Sequence, residues 1–138
     1  MIAYLDSSAV LRIIFRQPDS LSRWGGWERA LTSELTRIEG FRSIDRLRLA
    51  QKLTDRQLAD YVQDLEQTLG HIAEIRLEPP ILQRAAQSFA TSLGTLDALH
   101  LASALIWQEK NGEELCFITH DVQQGLGARA VGLKTDSF

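Results

Sequence analysis

Apolar and polar residues follow two periods along this chain, and the switches between them mark its elements. Ile2 to Leu5 is a short apolar run that predicts a strand ending at Asp6-Ser7-Ser8. Val10, Leu11, Ile14 and Phe15 then make a helical stripe, and Pro18-Asp19 opens a second short helix weakened by Gly25-Gly26. Ala30 to Thr32 predicts the next strand, with Ser33 as the N-cap of a helix over Glu34 to Lys52. A further helix spans Thr54 to Leu69, capped by Thr54 or Asp55 and closed by Gly70, and His71 to Leu77 alternates like a strand. Pro79-Pro80 starts a helix to about Ser92, and after Gly94-Thr95 a helix apolar nearly all round runs from Leu96 to Lys110. Such a helix belongs in the interior. Asn111-Gly112 ends it, Leu115 to Thr119 predicts a buried strand, and Ala130 to Leu133 predicts the last one. Strands alternating with helices predict an α/β fold over a parallel sheet. With no repeat, low-complexity tract or linker, residues 1–138 read as one domain.

Composition narrows the function classes. The chain has 138 residues, 44% hydrophobic and 24% charged, enough apolar content to fold and bury a core. The lone Cys116 has no disulfide partner and sits in an apolar run, so a reducing, cytoplasmic home is expected. Met1 leads into apolar residues without a basic leader region, and the apolar stretch from Leu96 to Trp107 is too short and too polar to span a bilayer. No membrane association is expected. A net charge of −3 argues against a broad basic surface for nucleic acid. It leaves open an enzyme that meets a phosphodiester locally, through metal ions and a few arginines.

The acids stand where chemistry is usually built. Asp6 follows the first strand and Asp121 follows the strand Leu115 to Thr119; Asp97 lies in the first turn of the buried helix and Glu39 within the helix after the second strand. Ligands of parallel α/β sheets bind beyond the carboxyl ends of the strands. Converging carboxylates repel one another, so some must protonate or a cation must neutralise them, and a carboxylate oxygen site suits Mg²⁺ or Mn²⁺. Each acid also has a local reading. Asp6 and Asp121 fit helix N-caps, Asp97 complements a helix dipole, and Glu39 can pair with Arg42 at i+3. Asp97 resists its local reading most, because Leu96, Ala98, Leu99, Leu101 and Ala102 crowd around it.

With these residues in view, the whole chain resembles the PIN-domain family, and within it the VapC-type toxins of bacterial toxin–antitoxin pairs. Ile2-Ala3-Tyr4-Leu5-Asp6-Ser7-Ser8-Ala9 resembles the opening strand with its metal-binding Asp, and Thr32-Ser33-Glu34-Leu35-Thr36-Arg37-Ile38-Glu39 resembles the second motif, whose register selects Glu39 over Glu34. Leu93-Gly94-Thr95-Leu96-Asp97-Ala98-Leu99-His100-Leu101-Ala102 is similar to the third motif, and Phe117-Ile118-Thr119-His120-Asp121 to the fourth. The resemblance implies a three-layer α/β/α fold with a mostly parallel sheet. It implies Mg²⁺- or Mn²⁺-dependent cleavage of RNA by the acids Asp6, Glu39, Asp97 and Asp121, a homodimer, and a cognate antitoxin partner. Val122-Gln123-Gln124-Gly125 carries no further acid, where some relatives have one, which leaves the number of metal ions open.

Around the acids, Ser7 and Thr119 are expected to orient the cluster, with local capping as Ser7's alternative. Arg37 and Arg42 are candidate substrate contacts; the alternative is a solvated helix face. His100, three residues after Asp97, reads as a near-site or core histidine, and His120 as structural or exposed; no zinc spacing is present. The stripe Leu58, Tyr61, Val62 and Leu65, like Trp24 and Trp27, suits core and dimer contacts. Rival readings are a non-catalytic regulatory or RNA-binding α/β module with structural acids, and a phosphatase of the haloacid-dehalogenase type. A phosphorylation-receiver module would use Lys134 but lacks the acidic pair beside Asp6, and the phosphatase wants an Asp where Ser8 stands.

Overall fold

Chain order and one handedness rule account for the architecture. In the computed structural model, residues 1–17 and 24–136 are described. They form β1 (Ile2–Leu5), α1 (Ser7–Ile14), β2 (Arg29–Ser33), α2 (Glu34–Leu49), α3 (Asp55–Leu69), β3 (Ala73–Ile75), α4 (Pro79–Ala85), α5 (Thr95–Asn111), β4 (Leu115–Ile118), α6 (Val122–Ala130) and β5 (Lys134–Asp136). The five strands make one sheet in the order β3-β2-β1-β4-β5, every neighbouring pair parallel. Connections from β1 to β2 to β3 run toward one edge, and those from β3 to β4 to β5 run back past β1. Right-handed crossovers place the two sets of helices on opposite faces.

Strand alternation supplies both cores. Ala3, Leu5, Ala30 and Ile118 face Ala9, Val10 and Ile14 of α1, Ile44 of α2, and Leu65 and Leu69 of α3. Tyr4, Leu31, Leu115 and Phe117 face Leu101 and Ala104 of α5 and Ala128 of α6. The result is a three-layer α/β/α sandwich. Trp24 and Trp27 pack edge-to-face against each other at 4.9 Å and onto the first core, as do Leu58 and Tyr61. Among the described residues, no helix is long and apolar enough to cross a membrane.

Three predicted boundaries move. The run Ala130 to Leu133 is no strand: the Leu133 N–H donates to the Ala128 carbonyl and the Gly132 N–H to that of Arg129, with Gly132 at φ +85°. This is a Schellman helix end, and its apolar residues lie against the core, leaving β5 to begin at Lys134. The helix from Pro79 stops at Ala85, because Phe89 and Leu93 turn into the second core, with the Arg84 guanidinium 4.3 Å over the Phe89 ring. The strand expected over His71 to Leu77 is limited to Ala73–Ile75. The short helix expected from Pro18-Asp19 falls on residues outside those described.

Candidate active site

The direction of the connections reverses between β1 and β4, the switch point of the sheet. Asp6 leaves β1 there as the N-cap of α1, its Oδ1 accepting from the Ala9 N–H at 3.1 Å and from Ser8 Oγ at 2.6 Å. Its Oδ2 accepts a short bond from Thr119 Oγ1, just past β4. Ser8 Oγ also stands 3.1 Å from Thr119 Oγ1 and accepts the His120 N–H. Asp6 thus caps α1 while being only 3% exposed. Burial raises its pKa, an effect opposed by His100, by the Ser8 and Thr119 hydroxyls and by the Ala9 amide.

Asp121 caps α6 from beyond β4. Its Oδ1 accepts the Gln124 N–H at 2.9 Å, its own N–H donates to Thr119 Oγ1 at 3.0 Å, and the residue is exposed. Gln124, fully buried, donates from Nε2 to the Asp97 carbonyl at 3.1 Å and so ties the start of α6 to the start of α5. Asp97 lies in the first turn of α5, whose N-cap Gly94 offers no side chain. Burial raises its pKa, followed by the charges of Asp121 and Asp6 and, more weakly, Glu39. All four acids therefore share one electrostatic neighbourhood. Among the described residues, no arginine or lysine pairs with Asp6, Asp97 or Asp121.

Glu39 comes from the second turn of α2 and is half-buried. Its Oε1 meets His100 Nε2 at 2.7 Å, and His100 Nδ1 meets the Tyr4 hydroxyl at 2.8 Å. A carboxylate only accepts, so Nε2 carries the hydrogen; in the neutral ring Nδ1 then accepts from Tyr4. Burial first, then the charges of Asp6 and Glu39, hold the Tyr4 pKa well above its ordinary value and keep that proton in place. Glu39 does not pair with Arg42, which is exposed.

Thr119 stands against Asp6 as expected, and the other supporting residues are placed differently. Ser8, not Ser7, holds Asp6, because the first turn of α1 directs residue 8 back over its cap. Arg37 is bound by Glu66 at 2.9 Å and Glu74 at 3.0 Å on the far helices and strand, which engages its guanidinium away from the acids. Lys134 opens β5 at the end of the strands away from the acids, in register with Cys116, and pairs with Glu114, so it is no receiver-type lysine beside them. His120 stands just past β4, half-buried, with its pKa lowered by burial and by Arg12. Gln124 went unread in the sequence; its signal is a polar residue three positions after a capping acid.

The donor set suits a hard divalent cation. Every acid offers oxygen, and Asp6 keeps one acceptor site, on Oδ2, beyond the three hydrogen bonds it accepts. Among the described residues no three His, Cys, Asp or Glu side chains close into a ready-made cage. Mg²⁺ does not need one, since it retains waters and uses one or two carboxylates plus substrate phosphate.

Comparison with known proteins identifies the family and the fold. The PIN domain family model matches residues 3–124. Ribonuclease VapC47 of Mycobacterium tuberculosis is 30% identical over 97% of this chain and 95% of its own length. VapBC2 of Rickettsia felis, solved bound to a DNA fragment from its promoter, superposes with a TM-score of 0.71 at 14% identity, covering 100% of this chain and 99% of that one. VapBC-5 of M. tuberculosis, described as a member of the VapBC family of toxin-antitoxin systems, gives 0.56 at 15% identity, covering 99% and 97%.

Proposed function

This chain belongs to the PIN-domain family, and from that premise we propose that it is a divalent-metal-dependent endoribonuclease acting as the toxin of a toxin–antitoxin pair. The observation that carries the reading is the hydrogen-bonded frame that joins Asp6, Asp121 and Asp97 across the switch point through Thr119 and Gln124, with no arginine or lysine ion-paired to any of these acids among the described residues. The name of the relative VapC47 supports the substrate class.

In this reading Asp6, Asp97, Asp121 and Glu39 hold Mg²⁺ or Mn²⁺. A bound divalent cation supplies charge that acidifies water and stabilises the oxygens of a phosphodiester under attack. The chain's own work is positioning. Thr119 and Ser8 fix both oxygens of Asp6, and Gln124 locks the helix starts that carry Asp97 and Asp121. Arg42, exposed on α2, is the remaining candidate for a phosphate contact on that helix. The protein acts as a homodimer in this reading. Leu96 and Val122, each beside one of the acids, are 48% and 81% exposed and suit an apolar antitoxin helix whose basic residue would neutralise the acids.

Cleavage of a structured RNA by purified protein tests the proposal. The native chain should cut with Mg²⁺ or Mn²⁺ and stop with EDTA. Asp97→Asn should lose at least about 100-fold, the scale expected when an electrostatic group at the reacting centre is removed, while staying folded. Undiminished cutting by Asp97→Asn would overturn it.

A further inference from the structure

Glu39 stands in the second turn of α2, with three rotatable bonds between its backbone and its charge. One oxygen of that carboxylate, Oε1, is held at 2.7 Å by His100 Nε2; the side chain is 20% exposed, that of His100 only 2%. The ring is held in turn. Tyr4 Oη stands 2.8 Å from Nδ1, and the Tyr4 ring meets His100 edge-on at 6.0 Å and stacks on Phe117 at 5.1 Å. Tyr4 belongs to β1, the central strand, and Phe117 is its register partner on β4. Among the described residues, Oε2 of Glu39 has no hydrogen-bond partner.

We propose that Tyr4 and His100 form a positioning relay, anchored in the centre of the sheet, that fixes Glu39 by Oε1 and frees Oε2 for the metal. The proposal rests on the metal-nuclease reading and assigns work to two residues outside the four acids. Tyr4 fixes the ring orientation by donating to Nδ1, and His100 transmits that orientation to Glu39 through its Nε2–H. Neither touches substrate. Partners of this kind commonly set metal affinity, because a ligand already held in place loses less freedom on binding.

The test uses the full chain without RNA, with manganese binding followed by electron paramagnetic resonance. His100→Leu removes the donor while filling the buried space, and should weaken binding by about 10- to 100-fold. His100→Gln places an amide N–H near the position of Nε2 and should recover most of the loss; a purely structural histidine would show no such rescue. Tyr4→Phe keeps the stack on Phe117 and should give a smaller loss, which serves if His100→Leu fails to fold. Native-like affinity in both His100→Leu and Tyr4→Phe, or a His100→Gln protein as weak as His100→Leu, overturns the relay and leaves the nuclease reading intact. A native chain that takes up no manganese overturns both.

Discussion

At the scale of single residues, the acids serve folding and chemistry in opposite ways. Asp6 caps α1, yet its burial disfavours its charge, and Asp97 is disfavoured by burial and by its neighbours. Both pKa values are raised from 3.8 in the fold. Between 3.8 and those raised values the folded chain binds more protons than the unfolded one, so metal-free stability should fall as pH rises through that window. Asp97→Asn should flatten the fall and be the more stable protein at neutral pH. Urea unfolding with EDTA across a pH series measures both, and a native chain that gains stability over Asp97→Asn as pH rises would contradict the assignment. Asp6, Asp97 and Asp121 were legible because each stands at a strand end or helix start. Ser8 was not separated from Ser7, since which hydroxyl turns back depends on the helix phase. The ion pairs of Arg37 were not legible, because its partners lie 29 and 37 residues away.

At the scale of elements, α6 shows how local signals conflict. Two glycines weaken it, and what defines it is its ends: the Asp121 cap and the Schellman closure at Gly132. The apolar run Ala130 to Leu133 reads as a strand until the glycine's left-handed φ is known, because periodicity cannot separate a short buried strand from a packed helix end. The two roles of Asp121 separate by substitution. Asp121→Asn keeps a good N-cap and should melt near the native temperature while losing RNA cleavage. Asp121→Ala should lose cleavage and also about 1 kcal/mol of stability. Melting curves and cleavage assays on the same samples check this; equal stability of the two variants would remove the capping role.

At the scale of the whole molecule, the site exists because the chain reverses direction across β1. Alternating strands and helices made a parallel α/β sheet legible, but strand order depends on long-range pairing that periodicity does not encode. The order β3-β2-β1-β4-β5 brings Asp6 and Asp121 to adjacent strand ends, and the crossover to β4 delivers Asp97 beside them on α5. Four acids separated by up to 115 positions thereby act on one another's charge. The central claim is that these acids bind a divalent cation. A crystal structure of the native chain grown with millimolar manganese, with data collected at the manganese absorption edge, tests it most directly. The account predicts an anomalous peak among Asp6, Asp97 and Asp121, with carboxylate oxygens about 2 Å away. Ordered manganese elsewhere in the crystal, with no peak at these acids, would contradict it.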